Sequence, residues 1–390
     1  MSSLMPTYAR LPVTFTHGEG AHLFDTQGRR YLDGLSGIAV TNLGHAHPAV
    51  TEAIQRQAGA LLHTSNLYHI AAQEQLAESL TAITGMERLF FGNSGAEANE
   101  AAIKLARLYG HQRGVERPAI IVLESAFHGR TMATLSATGN RKIQAGFEPL
   151  VSGFVRAKRD DLGAIQQIAD NNPDVVAVLV EPIQGEGGIC PLGADYLRGL
   201  RELCDRKQWL LMFDEVQSGN GRTGHHYNYL GLELVPDVLT TAKGLGNGVP
   251  IGACMARGAA AEVFGAGHHG STYGGNPLAC AAAQAVIDSI RDDNLCDRAT
   301  QLGDSVRQAL TDTLEDPDSV VEIRGEGLML GIELHRDCGE LVGKALEAGL
   351  LINVTAGSTV RLLPPMIMSD EQAGELGTGV GKLINDFHNP

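Results

Sequence analysis

Four short apolar runs punctuate the middle of the chain: Ala119 to Leu123, Val175 to Val180, Trp209 to Phe213 and Val238 to Thr241. Most are rich in Val, Ile or Leu, and each stops at a polar or glycine-bearing turn, which is the pattern of a strand buried on both faces. Between them lie stretches of helical length, such as Asp161 to Asp170 and Ala194 to Arg206. Strand, helix and strand in repetition bury their apolar surfaces most simply as a mostly parallel sheet covered by helices, an α/β architecture. Ligands of such sheets sit beyond the carboxyl ends of the strands, so the chemistry is sought there.

The two ends of the chain read differently. His22 to Phe24 and Arg30 to Leu32 flank Asp25-Thr26-Gln27-Gly28, a hairpin signal. In the last hundred residues, a helical pattern over Asn294 to Leu314 precedes strand-like Val320 to Ile323 and Leu328 to Leu334, a helix near Leu341 to Ala348 and a strand near Val360 to Leu363. This alternation predicts a smaller α+β unit. The 390 residues also exceed the length at which one core stops growing, roughly 250–300. The expected division is an N-terminal segment, 1–60, packing with the small domain, a large ligand-binding domain, 61–290, and a C-terminal small domain, 291–390.

Several function classes are disfavoured. Thirty Lys and Arg against 45 Asp and Glu give a net charge of −15, which repels phosphate backbones and anionic lipid, so neither nucleic acid nor membrane is expected as a partner. Met1 to Gly20 carries no basic segment leading into an apolar one, and no stretch reaches the roughly 20 apolar residues of a membrane span, so a cytoplasmic location is expected. The six cysteines form no Cys-x-x-Cys pair and read as reduced thiols. Two G-x-G-x-x-G matches, beginning at Gly219 and Gly265, suggest a dinucleotide site. With 48 glycines in the chain, however, chance alone gives about 0.7 such matches, and neither opens an amphipathic helix directly after a strand. The Gly-Lys pairs at Gly343 and Gly381 lack the following Ser or Thr of a P-loop. His45, His47 and the pairs His225-His226 and His268-His269 have no carboxylate or thiol at ligand spacing, so no metal is expected. Ser94, in Gly92-Asn93-Ser94-Gly95-Ala96, does not form a nucleophile elbow.

Three features survive together. Asn93-Ser94-Gly95-Ala96 opens a helix whose free N–H groups and positive dipole end suit a phosphate, although a plain cap by Asn93 or Ser94 would look the same. The run ending at Phe213 delivers Asp214 and Glu215, of which strand alternation lets only one face a given ligand. Lys243, one of seven lysines, follows the Val238 to Thr241 run among small, uncharged neighbours, where a desolvated amine becomes nucleophilic. A phosphate cradle, a strand-end acid and a sequestered lysine make a pyridoxal 5′-phosphate site: anchor, pyridinium partner and carbonyl-binding amine. Phe127, after the first buried run, could offer a ring face for stacking or be an ordinary core aromatic.

With these residues, and through Asn93 to Glu100, Phe127-His128-Gly129-Arg130, Phe213 to Gly219 and Ala242-Lys243-Gly244, nearly the whole chain resembles the class III aminotransferases of the fold type I pyridoxal phosphate enzymes. The resemblance implies a mostly parallel seven-stranded sheet in the large domain and a homodimer with shared active sites. It gives Lys243 the cofactor and the proton shuttle, Asp214 the pyridinium nitrogen and Gln217 the phenolic oxygen. Val216 and Phe127 would sandwich the ring, and the backbones of Ser94, Gly95 and Ala96 would hold the phosphate, helped by Thr272 from the neighbouring subunit. On the substrate side it implies that Arg130 grips the α-carboxylate, with Ser271 also at the substrate. Glu186 would mask Arg361 until glutamate or 2-oxoglutarate arrives.

Within the class, Arg10 to Phe15 and Gly37 to Val40 are most similar to acetylornithine aminotransferases. Ile38 aligns where ornithine δ-aminotransferases carry a tyrosine that meets a free α-amino group, which favours an acylated donor. Succinylornithine, ornithine and 4-aminobutyrate remain alternative donors, and a noncatalytic protein binding the same cofactor is the alternative of another class.

Overall fold

The computed structural model describes residues 3–388; the outermost residues of the two end segments, 1, 2, 389 and 390, lie outside it. Its centre is a seven-stranded sheet with strands β1 (Arg88–Gly92), β2 (Ala119–Leu123), β3 (Phe154–Ala157), β4 (Val175–Val180), β5 (Leu210–Asp214), β6 (Val238–Thr241) and β7 (Gly252–Ala256). Their order is β1-β7-β6-β5-β4-β2-β3, and β7 alone runs antiparallel to its neighbours. The four apolar runs occupy the interior of this sheet, and their residues are buried on both faces as their composition requires. One face packs against the helix Ala194–Lys207 through residues such as Leu197, Leu200 and Leu203, the other against the helix Gly95–Gln112 through Ala102, Ile103 and Leu105.

The sequence pattern misses β1, β3 and β7. Two are edge strands that carry charge, Arg88 and Arg156. The third, Gly-Ala-Cys-Met-Ala, lacks β-branched residues because it must pass close to its neighbours: a Cβ on Gly252 would collide with the carbonyl of Ser94. The run expected from Trp209 is shifted by one residue, so that Asp214 ends the strand rather than following it.

The hairpin forms as expected from His22–Asp25 and Arg30–Asp33, and the second strand also pairs in parallel with Leu350–Leu351. Beyond the long helix Pro277–Asp292, an antiparallel sheet of Val320–Glu326, Met329–Leu334, Thr359–Leu362 and Asn353–Thr355 packs with the helices Leu295–Thr313 and Asp370–His388. Ala21, Leu32, Leu43 and Val50 from the N-terminal segment join this second core. No helix among the described residues is long and apolar enough to cross a membrane.

Candidate active site

A cavity of about 440 Å³ opens at the carboxyl ends of β5 and β6 and at the start of the helix Gly95–Gln112. Ser94, Gly95, Ala96, Phe127, Arg130, Asp214, Val216, Gln217 and Lys243 all line it, so nine of the expected residues converge although they lie up to 149 positions apart in sequence.

Asp214 and Glu215 separate as strand alternation demands. Asp214 Oδ2 accepts from Asn99 Nδ2 at 2.7 Å and meets His128 Nδ1 at 2.8 Å, while Oδ1 accepts from the Val216 amide at 3.1 Å. Burial alone would lower the His128 pKa, but the bond and the charge of Asp214 outweigh it and raise it. His128 and Asn99 together fix the Asp214 carboxylate at the pocket wall. Glu215 points away and accepts from the amides of Asn228 and Tyr229 at 2.6 and 3.0 Å and from Ser218 Oγ at 3.0 Å. With no cation beside it, burial pushes its carboxyl up to about 7.

Lys243 follows β6 with φ +45°, a left-handed conformation that costs a non-glycine residue about 1–2 kcal/mol. Its ammonium has no hydrogen-bond or ion-pair partner among the described residues. Burial lowers its pKa, and Arg361 adds to that against the opposing charges of Glu186 and Asp214. The lysine is therefore held in place by backbone geometry while its amine stays available. Gly244 beside it admits Asn42, whose amide a Cβ would strike.

At the helix start the cap forms, and it leaves two further N–H groups unused. Ser94 is the cap and accepts from the Glu97 amide at 3.2 Å, and Glu97 turns back to accept from the Asn93 amide at 2.8 Å. The N–H groups of Gly95 and Ala96 have no acceptor inside the helix and remain at the cavity wall. A Cβ on Gly95 would sit 2.6 Å from Val216 Cγ1, so only glycine leaves room for valine on that side.

Phe127 also lines the cavity, with the exposed Arg130 guanidinium 5.6 Å from its ring centre. Behind Gln217, Arg361 is only 1% exposed and holds Glu186 Oε1 at 2.5 Å through Nη1. Burial would raise the pKa of Glu186, but the Arg361 charge holds it low.

Ser271 and Thr272 do not line this cavity. Ser271 Oγ is committed to Asn93 Nδ2 at 3.2 Å and the Gly274 amide at 3.0 Å, and Thr272 faces outward on the surface. Four residues at the site were not expected. Asn99 and His128 brace Asp214. Glu181 accepts from the Phe127 amide at 2.8 Å and the Gly185 amide at 3.1 Å, and Asn353 accepts from Arg361 Nη2 at 2.8 Å. Glu181 directly follows the Val175 to Val180 run as Asp214 follows Trp209 to Phe213, so the same strand-end rule would have found it. Asn353 carries no such signal.

Residues 4–384 match the family model described as class III aminotransferase. An acetylornithine aminotransferase of Nitrosomonas europaea is 56% identical over 387 residues, covering 99% of this chain and 98% of that protein. An N-acetylornithine aminotransferase crystal structure from Stenotrophomonas maltophilia K279a superposes with a TM-score of 0.84 at 34% identity, covering 97% of each chain. An ornithine aminotransferase from Toxoplasma gondii, whose structure shows partial occupancy of pyridoxal phosphate at its active site, superposes with a TM-score of 0.95 at 34% identity, covering 100% of this chain and 93% of that one. Family model, full-length relatives and a fold matched from end to end agree with the cavity around Lys243: the chain belongs to the class III aminotransferases.

Proposed function

We propose that this enzyme moves the δ-amino group of N2-acetylornithine to 2-oxoglutarate, giving N-acetylglutamate 5-semialdehyde and glutamate, with pyridoxal 5′-phosphate as cofactor. The observation that carries the reading is the pair of arginines, Arg130 exposed at the cavity and Arg361 masked by Glu186, because it lets one pocket accept a donor with one carboxylate and an acceptor with two. The 56% identity to the Nitrosomonas europaea enzyme supports acetylornithine over other donors.

The residues fit the cofactor. The uncommitted amine of Lys243 would hold its carbonyl carbon, and the Gly95 and Ala96 amides with the helix dipole would hold its phosphate. Phe127 and Val216 both line the cavity and would sandwich the ring, and the side-chain space that Gly95 gives up to Val216 suits that use. When bound, pyridoxal phosphate supplies an electron sink that acidifies the carbon bearing the amine.

Everything else is the work of this chain. Asp214, positioned by His128 and Asn99, would hold a proton on the ring nitrogen. Gln217, on the cavity wall, would meet the phenolic oxygen. Lys243, its pKa lowered by burial, takes and returns the proton at the substrate carbon. Arg130 binds the α-carboxylate of acetylornithine as a fork, while the Glu186–Arg361 pair keeps the second cation neutralised. For glutamate or 2-oxoglutarate Glu186 turns aside and Arg361 takes the α-carboxylate. Residues 61–290 form the cofactor-binding domain, and the N-terminal segment, 1–60, packs with the small domain, 291–390; the shared second core supports this division. The enzyme works as a homodimer with shared sites in the cytoplasm; outward-facing Thr272 supports the former, and six unpaired thiols support the latter.

Single-turnover absorbance with acetylornithine, succinylornithine, ornithine and 4-aminobutyrate tests the reading. Acetylornithine should react fastest, and Lys243→Ala should abolish the change. Faster turnover of ornithine or 4-aminobutyrate would overturn the substrate, and an unaffected Lys243→Ala would overturn the mechanism.

A further inference from the structure

The buried guanidinium of Arg361 has three acceptors: Glu186 Oε1 at 2.5 Å, Gln217 Oε1 at 3.5 Å and Asn353 Oδ1 at 2.8 Å. Its Nε has no partner. The two close acceptors are held in different ways. Glu186 sits on a connecting loop with 37% of its side chain exposed, free to turn. Asn353 faces Arg361 directly across the antiparallel pair formed by Asn353–Thr355 and Thr359–Leu362. Directly opposed residues of such a pair share a face, so the backbone ladder itself keeps the amide beside the guanidinium.

The loop that bears Glu186 is itself fastened. The Glu186 carbonyl accepts from Thr355 Oγ1 at 2.6 Å, the Gly188 carbonyl accepts from Arg324 Nη2 at 2.8 Å, and the Gly185 amide donates to Glu181 at 3.1 Å. Departure of Glu186 is thereby reduced to a rotation of its side chain, which leaves Asn353 where it was. A guanidinium buried without an acceptor would resist that departure, and one with a second carboxylate would have no charge left for a substrate. A neutral acceptor on a rigid strand meets both demands.

We propose that Asn353 is the standing partner of Arg361, a positioning residue that keeps the guanidinium aimed, without placing a second carboxylate against it, whether Glu186 is in place or turned aside, and so sets the enzyme's affinity for dicarboxylates. The proposal rests on the reading above that Arg361 receives the α-carboxylate of glutamate and 2-oxoglutarate.

Its test uses the holoenzyme and glutarate, a five-carbon dicarboxylate with neither an amino nor a keto group to react, titrated by calorimetry. Asn353→Asp fixes a carboxylate on the strand and should weaken glutarate at least about tenfold. The ratio of the glutamate to the acetylornithine half-reaction should fall by a similar factor, through KM rather than kcat. Asn353→Ala, which adds no charge, should weaken glutarate about threefold, and it decides the matter alone if the aspartate variant fails to fold. Glutarate affinity equal to wild type in the folded variants, or equal losses in both half-reactions, would overturn the proposal. Arg361→Ala separates the two levels: if it retains glutarate affinity, the gate reading falls, and if it loses affinity while Asn353→Asp does not, only the role of Asn353 falls.

Discussion

Two adjacent acids, Asp214 and Glu215, meet opposite fates because a strand end turns them to opposite sides. Asp214 meets the side chains of His128 and Asn99, whereas Glu215 meets only backbone amides and a hydroxyl, and burial pushes its carboxyl up to about 7. For Glu215 the folded pKa lies above the unfolded value of 4.5, so the native state binds the extra proton, and stability falls as pH rises from about 4.5 to about 7. Glu215→Gln cannot titrate. In urea titrations the advantage of wild type over Glu215→Gln should therefore shrink by about 2–3 kcal/mol between pH 5 and pH 8, and a difference independent of pH would contradict the assignment. At this scale the sequence revealed groups whose chemistry depends on local spacing: the strand-end acid, the lysine among small residues, the capped helix start. It concealed those whose meaning depends on a distant partner. Glu181 matters because it holds the Phe127 amide 54 positions away, and Asn353 because a hairpin sets it opposite Arg361.

Among the elements, the start of the helix Gly95–Gln112 shows how one missing side chain sets a binding surface. Alanine at position 95 would suit the helix, yet its Cβ would lie 2.6 Å from Val216 Cγ1 and 2.9 Å from Cγ2, and the open space beside that valine is the cavity it lines. Gly95→Ala should weaken pyridoxal phosphate binding at least about tenfold in equilibrium dialysis, with apoenzyme stability in urea changed by less than about 1 kcal/mol. Equal cofactor affinity would show that Val216 does not bound the ring. The same logic explains an element that sequence pattern does not reveal, the final helix Asp370–His388. Its four glycines, at 374, 377, 379 and 381, weaken every propensity argument for a helix. In the fold, two of them permit its close approach to the helix Leu295–Thr313: a Cβ on Gly377 would lie 2.5 Å from the Val306 carbonyl, and one on Gly381 2.7 Å from Thr313 Cβ. Part of the glycine excess is thus helix packing, which only the packed structure can display.

Ser271 and Thr272, both expected at the site, do not line the cavity within the chain. Thr272 faces outward beside exposed Tyr273, on a segment bound to a second exposed one: Asn66 Nδ2 donates to the carbonyls of Ser271 and Gly274 at 3.0 and 3.1 Å, and the rings of His63 and Tyr273 lie 5.6 Å apart. Leu61, Leu62, Leu67 and Tyr68 on that second segment are also exposed, an apolar grouping that a soluble monomer would not ordinarily leave bare. A two-fold dimer through this face would cover the apolar groups and carry Thr272 to the partner's phosphate cradle. The arrangement can be tested with two inactive enzymes. Lys243→Ala lacks the amine but keeps Thr272, and Thr272→Glu keeps the amine but sets a repelling charge at the phosphate. If Thr272 serves the opposite subunit, one site of each mixed dimer combines an intact lysine with an intact threonine. Refolding the two variants together in equal amounts should then restore about a quarter of wild-type activity, since half of the dimers are mixed and each carries one complete site. If Thr272 served its own chain, no combination of subunits would assemble a complete site and the mixture would stay inactive.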